Sequence, residues 1–291
     1  MVAKEFQETP QIVIRDVSYR YPDAEDYALE GLNLTIHKGE FVAILGEHLA
    51  GKSTFCQLLN GIIPNFKGGE LEGSVLVCGL DTQDVSVAEL ARKVGIVLQD
   101  PEAQLFTTKV INEVAFGPEN LGLEREEILR RVRWALKVVG LEGMEDRPPP
   151  SLSGGQKQRL AIAAALAMRP EVLVLDEATS QLDPVGTEEV FSVVRRLNRE
   201  YEVTIIMSTH KSEEVARFAD RILVIHQGRL IAQGTPQEIF RDTELLRRAA
   251  IRPPQVSELA NYLEAHSLRM LEFPITIEQA KRGIEQLFAG V

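Results

Sequence analysis

The positions Gly46, Gly51, Lys52 and Ser53 meet the spacing G-x-x-x-x-G-K-[ST] within LGEHLAGKSTF, residues 45–55. A loop of this kind turns backbone N–H groups inward around nucleotide phosphates, and the helix behind it aims its positive end at the same anion. Lys52 adds a point charge on the β- and γ-phosphates of ATP, and the Ser53 hydroxyl can ligate Mg²⁺. The loop Gly46, Glu47, His48, Leu49, Ala50, Gly51, Lys52, Ser53 and Thr54 is therefore the candidate nucleotide-binding segment. A second constellation ends the apolar run VLVLDE, residues 172–177. Asp176 suits a carboxylate that holds Mg²⁺ through its water shell, and Glu177 suits the base that orients the attacking water. Alone, an Asp-Glu pair after a strand is more often a helix cap; downstream of a phosphate loop the catalytic reading prevails. A third stretch, Ser153-Gly154-Gly155-Gln156, precedes the helical KQRLAIAAALAM. A helix start with a serine, two glycines and exposed N–H groups is another anion cradle.

The elements that must hold these residues can be read from periodicity. Residues 11–45 alternate apolar and polar types, which predicts strands with one solvated face. Residues 100–165 read as helical, with Ile128, Val132, Ala135, Leu136 and Val139 forming one apolar face. Prolines 148–150 end that region and impose an extended entry into the next segment. VLVLDE and VTIIMSTH are buried parallel strands by composition, separated by helical segments. RILVIHQGRLIAQG predicts a hairpin around Gln227-Gly228, and Thr235-Pro236-Gln237-Glu238 a capped helix start. After Pro253-Pro254, Val256, Leu259 and Leu263 recur at helical spacing. A last helix opens at Thr276, with Gln279 as capping partner and Ile277, Ala280, Ile284 and Leu287 as its apolar face. This tail reads as a packing appendage or as a dimer contact.

Ser151-Leu152-Ser153-Gly154-Gly155-Gln156 resembles the LSGGQ signature of ABC ATPases. The resemblance covers about residues 11–240. It implies an α/β fold: an ABC-type P-loop NTPase core, with a RecA-like parallel sheet and N-terminal antiparallel β strands, an inserted helical subdomain and a C-terminal helical extension. The implied division is 1–98 and 166–245 for the core, 99–165 for the helical subdomain with its glutamine loop and signature, and 246–291 for the extension. By the same resemblance, Tyr21 corresponds to the aromatic that stacks on adenine, and Gln99 to the glutamine that approaches Mg²⁺ and couples the site to the transporter. Asp183 corresponds to the loop crossing the dimer interface, and His210 to the switch histidine at the γ-phosphate. In such ATPases each ATP is clamped between the phosphate loop of one protomer and the signature of a second, identical or homologous, so Ser153, Gly154, Gly155 and Gln156 act in trans.

VLQDPEAQLFTTKVINEVAFGPENLGL is similar to the segment after that glutamine in energy-coupling factor (ECF) transporter ATPases, including those of cobalt and nickel uptake. Glu113 stands where those proteins often carry aspartate. This resemblance implies a membrane scaffold that docks near residues 99–120, a small substrate-binding membrane protein, and uptake of a vitamin or transition-metal ion. The chain would then work on the cytoplasmic face of the membrane. His48 and Leu49 depart from the family, which usually has asparagine or serine and then glycine. Leucine costs roughly 1–2 kcal/mol if the backbone there is left-handed. In that case glycine at 49 tightens nucleotide binding; if Leu49 instead packs beside the nucleotide or across a dimer, glycine weakens it.

The 291 residues carry a net charge of −11, which argues against a nucleic-acid surface and hence against a soluble ABC ATPase acting on DNA or the ribosome. The other alternative, a non-hydrolysing half of an asymmetric dimer, has only Leu49 in its favour. Cys56 and Cys78 show no metal or redox spacing, consistent with a reducing compartment. MVAKEFQETPQ has no apolar stretch of signal-peptide type, and the longest apolar run, Leu160 to Met168, is far short of the roughly 20 residues of a spanning helix.

Overall fold

The computed structural model describes residues 9–289, so the reading of the first eight residues lies outside it. Two sheets organise the chain. The antiparallel sheet has the order β2 (Leu29–His37), β1 (Pro10–Arg20), β4 (Glu70–Val77), β5 (Leu80–Asp81). The larger sheet runs β10 (Arg229–Gly234), β9 (Arg221–His226), β3 (Phe41–Leu45), β8 (Thr204–Ser208), β7 (Val172–Asp176), β6 (Val94–Val97). All its neighbours are parallel except β9 and β10, which form the hairpin expected at Gln227-Gly228.

β3 differs from the expected strand with one wet face, because all five of its residues are buried. Successive side chains alternate faces, and here each face meets its own apolar layer. Val42 and Ile44 pack with the antiparallel sheet and with Phe55, Leu58 and Leu59 of α1 (Lys52–Leu59). Ala43 and Leu45 face helices of the C-terminal third. Fully burying one such aliphatic or aromatic side chain contributes about 1.5–3 kcal/mol, so the strand that delivers the phosphate loop is anchored from both sides. After α1 come two single helical turns, α2 (Ile62–Asn65) and α3 (Val87–Leu90).

The helical region holds α4 (Val110–Asn120), α5 (Arg125–Val139) and α6 (Gly154–Ala167). Val132, Ala135, Leu136 and Val139 of α5 are buried as the periodicity requires, with Ile128 packed at their edge. The proline run is not simply extended: residues 149–151 form a 3₁₀ turn between extended Pro148 and Leu152. α7 (Pro184–Tyr201) and α8 (Ser212–Phe218) come after β7 and β8 respectively.

α9 (Pro236–Arg241) starts with the expected capping box of Thr235 and Glu238. α10 (Thr243–Arg248) leads to α11 (Gln255–Ala265) and α12 (Ile277–Ala289). In α11 the expected apolar face is the wrong one. Ser257 and Ala260 are buried, whereas Leu259 is exposed and Val256 and Leu263 only half-buried. The Ser257 hydroxyl donates to the Pro274 carbonyl, so a hydrogen bond and a small side chain, rather than the leucines, let the following segment approach. Thr276 and Gln279 cap α12 as expected, but of its predicted apolar face Ile277 is exposed and Ala280 buried. No helix among the described residues is long and apolar enough to cross a membrane.

Candidate functional site

β3 ends where β8 and β9 flank it, and the chain turns through Gly46–Gly51 into α1. Two glycines are required by close approach. A Cβ at Gly46 would lie 2.1 Å from the Ile225 carbonyl oxygen, and one at Gly51, whose φ is +106°, 2.7 Å from that of Ala28. The loop is tied down on its far side, since the Gly228 N–H donates to the Ala50 carbonyl and the Gly228 carbonyl accepts from Glu30 N–H. No side chain caps α1, which leaves its first-turn N–H groups for an anion.

Within the loop, Ala50 N–H donates to Glu47 O, closing a turn in which Leu49 has φ +63°. Glycine or asparagine is the usual third residue of such a turn. Leu49 is fully exposed, so no packing within the chain offsets the strain. Because protein hydrogen bonds close the turn, the strain is set on folding rather than on nucleotide binding. This changes the expected outcome for Leu49→Gly. The variant gains up to about 1 kcal/mol of stability, the left-handed strain being partly offset by the backbone entropy of glycine. Its affinity for Mg-ATP stays within roughly threefold, under 1 kcal/mol. Denaturant unfolding and calorimetric titration measure the two separately; tenfold tighter binding with unchanged stability would return the strain to the binding step.

Three side chains converge behind the loop. Lys52 Nζ, nearly inaccessible, donates to the carbonyls of Gly46 (3.0 Å) and Glu47 (2.8 Å). It lies 3.3 Å from His210 Nε2 and 3.5 Å from Glu177 Oε1. His210 Nε2 is itself 3.1 Å from Glu177 Oε1. Burial pushes the Lys52 ammonium below the ordinary lysine range, against the opposing pull of Glu177. Burial, then the Lys52 charge, likewise lowers the His210 imidazole, which favours its neutral form at pH 7.

Beside this cluster, Ser53 Oγ donates to Asp176 Oδ1 at 3.1 Å, and Ser208 Oγ donates to the same oxygen at 2.7 Å. The Glu177 N–H donates to both the carbonyl and the hydroxyl of Ser208, holding Glu177 at φ +49°. Ser208 is the residue that sequence reasoning missed. Its signal was there in MSTH, where it closes the strand paired in register with Asp176.

The remaining candidates stand around or apart from this cluster. Tyr21 is half-buried, its hydroxyl 3.0 Å from Thr54 Oγ1 and its ring edge-on to Tyr19. Gln99 is exposed beyond the end of β6, and the hydrogen bonds that join Ser53, Asp176, Glu177 and His210 do not include it. Ser153 caps α6 reciprocally with Gln156, and Asp183 caps α7 through Gly186 N–H. These two helix starts touch, since Gly186 Cα lies 3.3 Å from where a Cβ on Gly155 would be. Among the described residues no hydrogen bond or ion pair joins residues 153–156 to the phosphate loop.

Residues 29–180 match the family profile described as ABC transporter. A putative ABC transporter ATP-binding protein of Pyrococcus abyssi is 53% identical over 243 residues, 84% of this chain and 87% of that protein. Among solved structures, CbiO1 of Clostridium perfringens, described as part of the ABC transporter complex CbiONQ, superposes with a TM-score of 0.74 at 39% identity. The match covers 87% of this chain and 99% of that one. The ATP-binding cassette MJ0796, in a dimeric post-hydrolysis state with ADP and Pi, has a TM-score of 0.68 at 29% identity, over 77% of this chain and 98% of that one.

Proposed function

The chain belongs to the ABC transporter family of ATP-binding proteins and is an ATPase, and from that premise we propose that it dimerises and drives uptake of a micronutrient through an ECF-type membrane transporter. The cargo class is a vitamin or a transition-metal ion. The likeness to CbiO1, a part of a transporter complex, supports the transporter reading, and the dimeric MJ0796 cassette supports pairing with a second ATPase subunit.

The proposed chemistry rests on the cluster at the loop. Lys52 and the free N–H groups of α1 bind the phosphates. Glu177 Oε1 accepts the proton of the attacking water, and His210, held against that oxygen, orients it near the γ-phosphate. The hydroxyl of Ser53 and the carboxylate of Asp176, already in contact, are hard oxygen donors that fit Mg²⁺, with Gln99 joining by resemblance. Bound there, Mg²⁺ supplies neutralising charge to the phosphate oxygens. The separation of residues 153–156 from the loop supports a signature that acts on the partner's nucleotide, with Asp183 at the shared face.

The observation that carries the transporter reading is an exposed aromatic pair in residues 99–120. Phe106 is 66% and Phe116 45% exposed, edge-to-face with centroids 4.8 Å apart. Leu105, Pro149 and Pro150 line the groove beside Phe106. Buried Glu113 fixes the loop by accepting from the N–H groups of Phe106 and Thr107. Exposed aromatic rings beside an ion pair of Glu102 and Lys157 mark an interaction surface; a helix of a membrane scaffold would cover it. Replacing both rings, Phe106→Ser with Phe116→Ser, should abolish co-fractionation with membranes while the isolated chain keeps its ATPase rate within about twofold. Undiminished membrane association of the double variant would refute this docking face.

A further inference from the structure

His48 lies in the nucleotide-binding segment but has no catalytic role above, yet it stands beside His210 and Glu177. Its ring lies 4.7 Å from that of His210, tilted by 39°. One ligand atom from each of His48, His210 and Glu177 falls within 4.8 Å of the others. We propose that these three residues form an inhibitory site for a divalent transition-metal ion of the Zn²⁺, Co²⁺ and Ni²⁺ class.

The donor set makes the choice of ion. Two imidazoles and one carboxylate suit borderline ions, whereas Mg²⁺ keeps to oxygen ligands. The site is therefore separate from the oxygen pair Ser53 and Asp176. Bonds of about 2.0–2.1 Å in a tetrahedron place ligand atoms roughly 3.4 Å apart. His210 and Glu177 already meet that spacing at 3.1 Å. The widest separation, at most 4.8 Å, must close by up to about 1.4 Å, and His48, exposed at the tip of a turn, can make that movement without disturbing the core. The fourth position stays open to water or a phosphate oxygen.

Lys52 opposes the ion, since its ammonium contacts both His210 and Glu177. It has other partners, however: the carbonyls of Gly46 and Glu47 hold it when Glu177 is taken by metal. A Glu177 carboxylate that shares one oxygen with a divalent cation is drained of basicity and is a poor proton acceptor, so the loaded enzyme turns over slowly. The ion thus turns the ATPase down at its base without touching the phosphate-binding N–H groups.

The probe is Co²⁺ alone, titrated into tag-free full-length protein and followed by the visible absorption of a tetrahedral centre. Wild type should take up one ion per chain with that band. His48→Ala and Glu177→Gln should each weaken uptake at least tenfold, circular dichroism confirming that both fold. In parallel, Zn²⁺ should inhibit wild-type ATPase at a concentration at least tenfold lower than it inhibits His48→Asn, each scaled to its own metal-free rate. Absence of the band in wild type, or equal Co²⁺ affinity in wild type and His48→Ala, overturns the proposal.

Discussion

Glu177→Gln protein binds ATP within a few-fold of wild type and turns it over at least about a hundredfold more slowly, the lower end of what a positioned general base contributes. The amide keeps the shape of the carboxylate and its contact with His210, but it does not take up a proton. The fold is not at risk, because the main chain at 177 is held through its N–H by Ser208, independently of the side chain. Removing the negative charge beside Lys52 also frees the ammonium, 3.5 Å away, for the nucleotide. The variant should therefore accumulate as an ATP-bound dimer, visible by gel filtration. Full turnover in the purified variant would remove Glu177 from its role.

Ser153→Ala and Lys52→Ala, each almost inactive alone, should recover turnover when mixed. Lys52→Ala loses the phosphate-binding charge but keeps a working signature; Ser153→Ala has the reverse defect. A mixed dimer pairs the sound loop of one chain with the sound signature of the other. With random two-fold assembly, half the dimers are mixed and each has one intact site, so about a quarter of wild-type turnover returns. Ser153 also caps α6, and losing that cap costs about 1 kcal/mol of stability. A small drop in melting temperature is thus expected, and only the mixing experiment isolates the signature role. Turnover linear in wild-type protein concentration down to high dilution, with no recovery on mixing, would sink the shared-site reading.

What could be read in advance divides along a physical line. The phosphate loop, the capping boxes at 235–238 and 276–279 and the hairpin at 227–228 are local, each written in residues within a few positions of one another, and each has the expected form. The neutral tendency of His210 and the bridging by Ser208 are not local: the first comes from burial and from the charge of Lys52 on a distant helix, the second from β7 and β8 lying in register. The outer face of α11 was misjudged because helical spacing says which residues share a side and not which side is covered; buried Ser257 decided that through a bond to residue 274. Leu49 was recognisable as an exception, but whether its cost falls on folding or on binding depended on the turn that contains it.

Gly228 bears on how the protein comes into being. The turn that fixes the phosphate loop is a neighbour in space and remote in the chain: Gly228 N–H takes the Ala50 carbonyl, and its own carbonyl takes Glu30 N–H. On the ribosome, residues 46–54 are made roughly 10–35 s before residue 228, at ordinary elongation rates. Throughout that interval the nascent loop lacks the contact that seats it. ATP therefore cannot serve as an early template for this fold. The cell's nucleotide meets a seated loop only once residue 228 has been made, and products truncated before it, though they carry the whole GEHLAGKST motif, should neither sequester ATP nor be rescued by it.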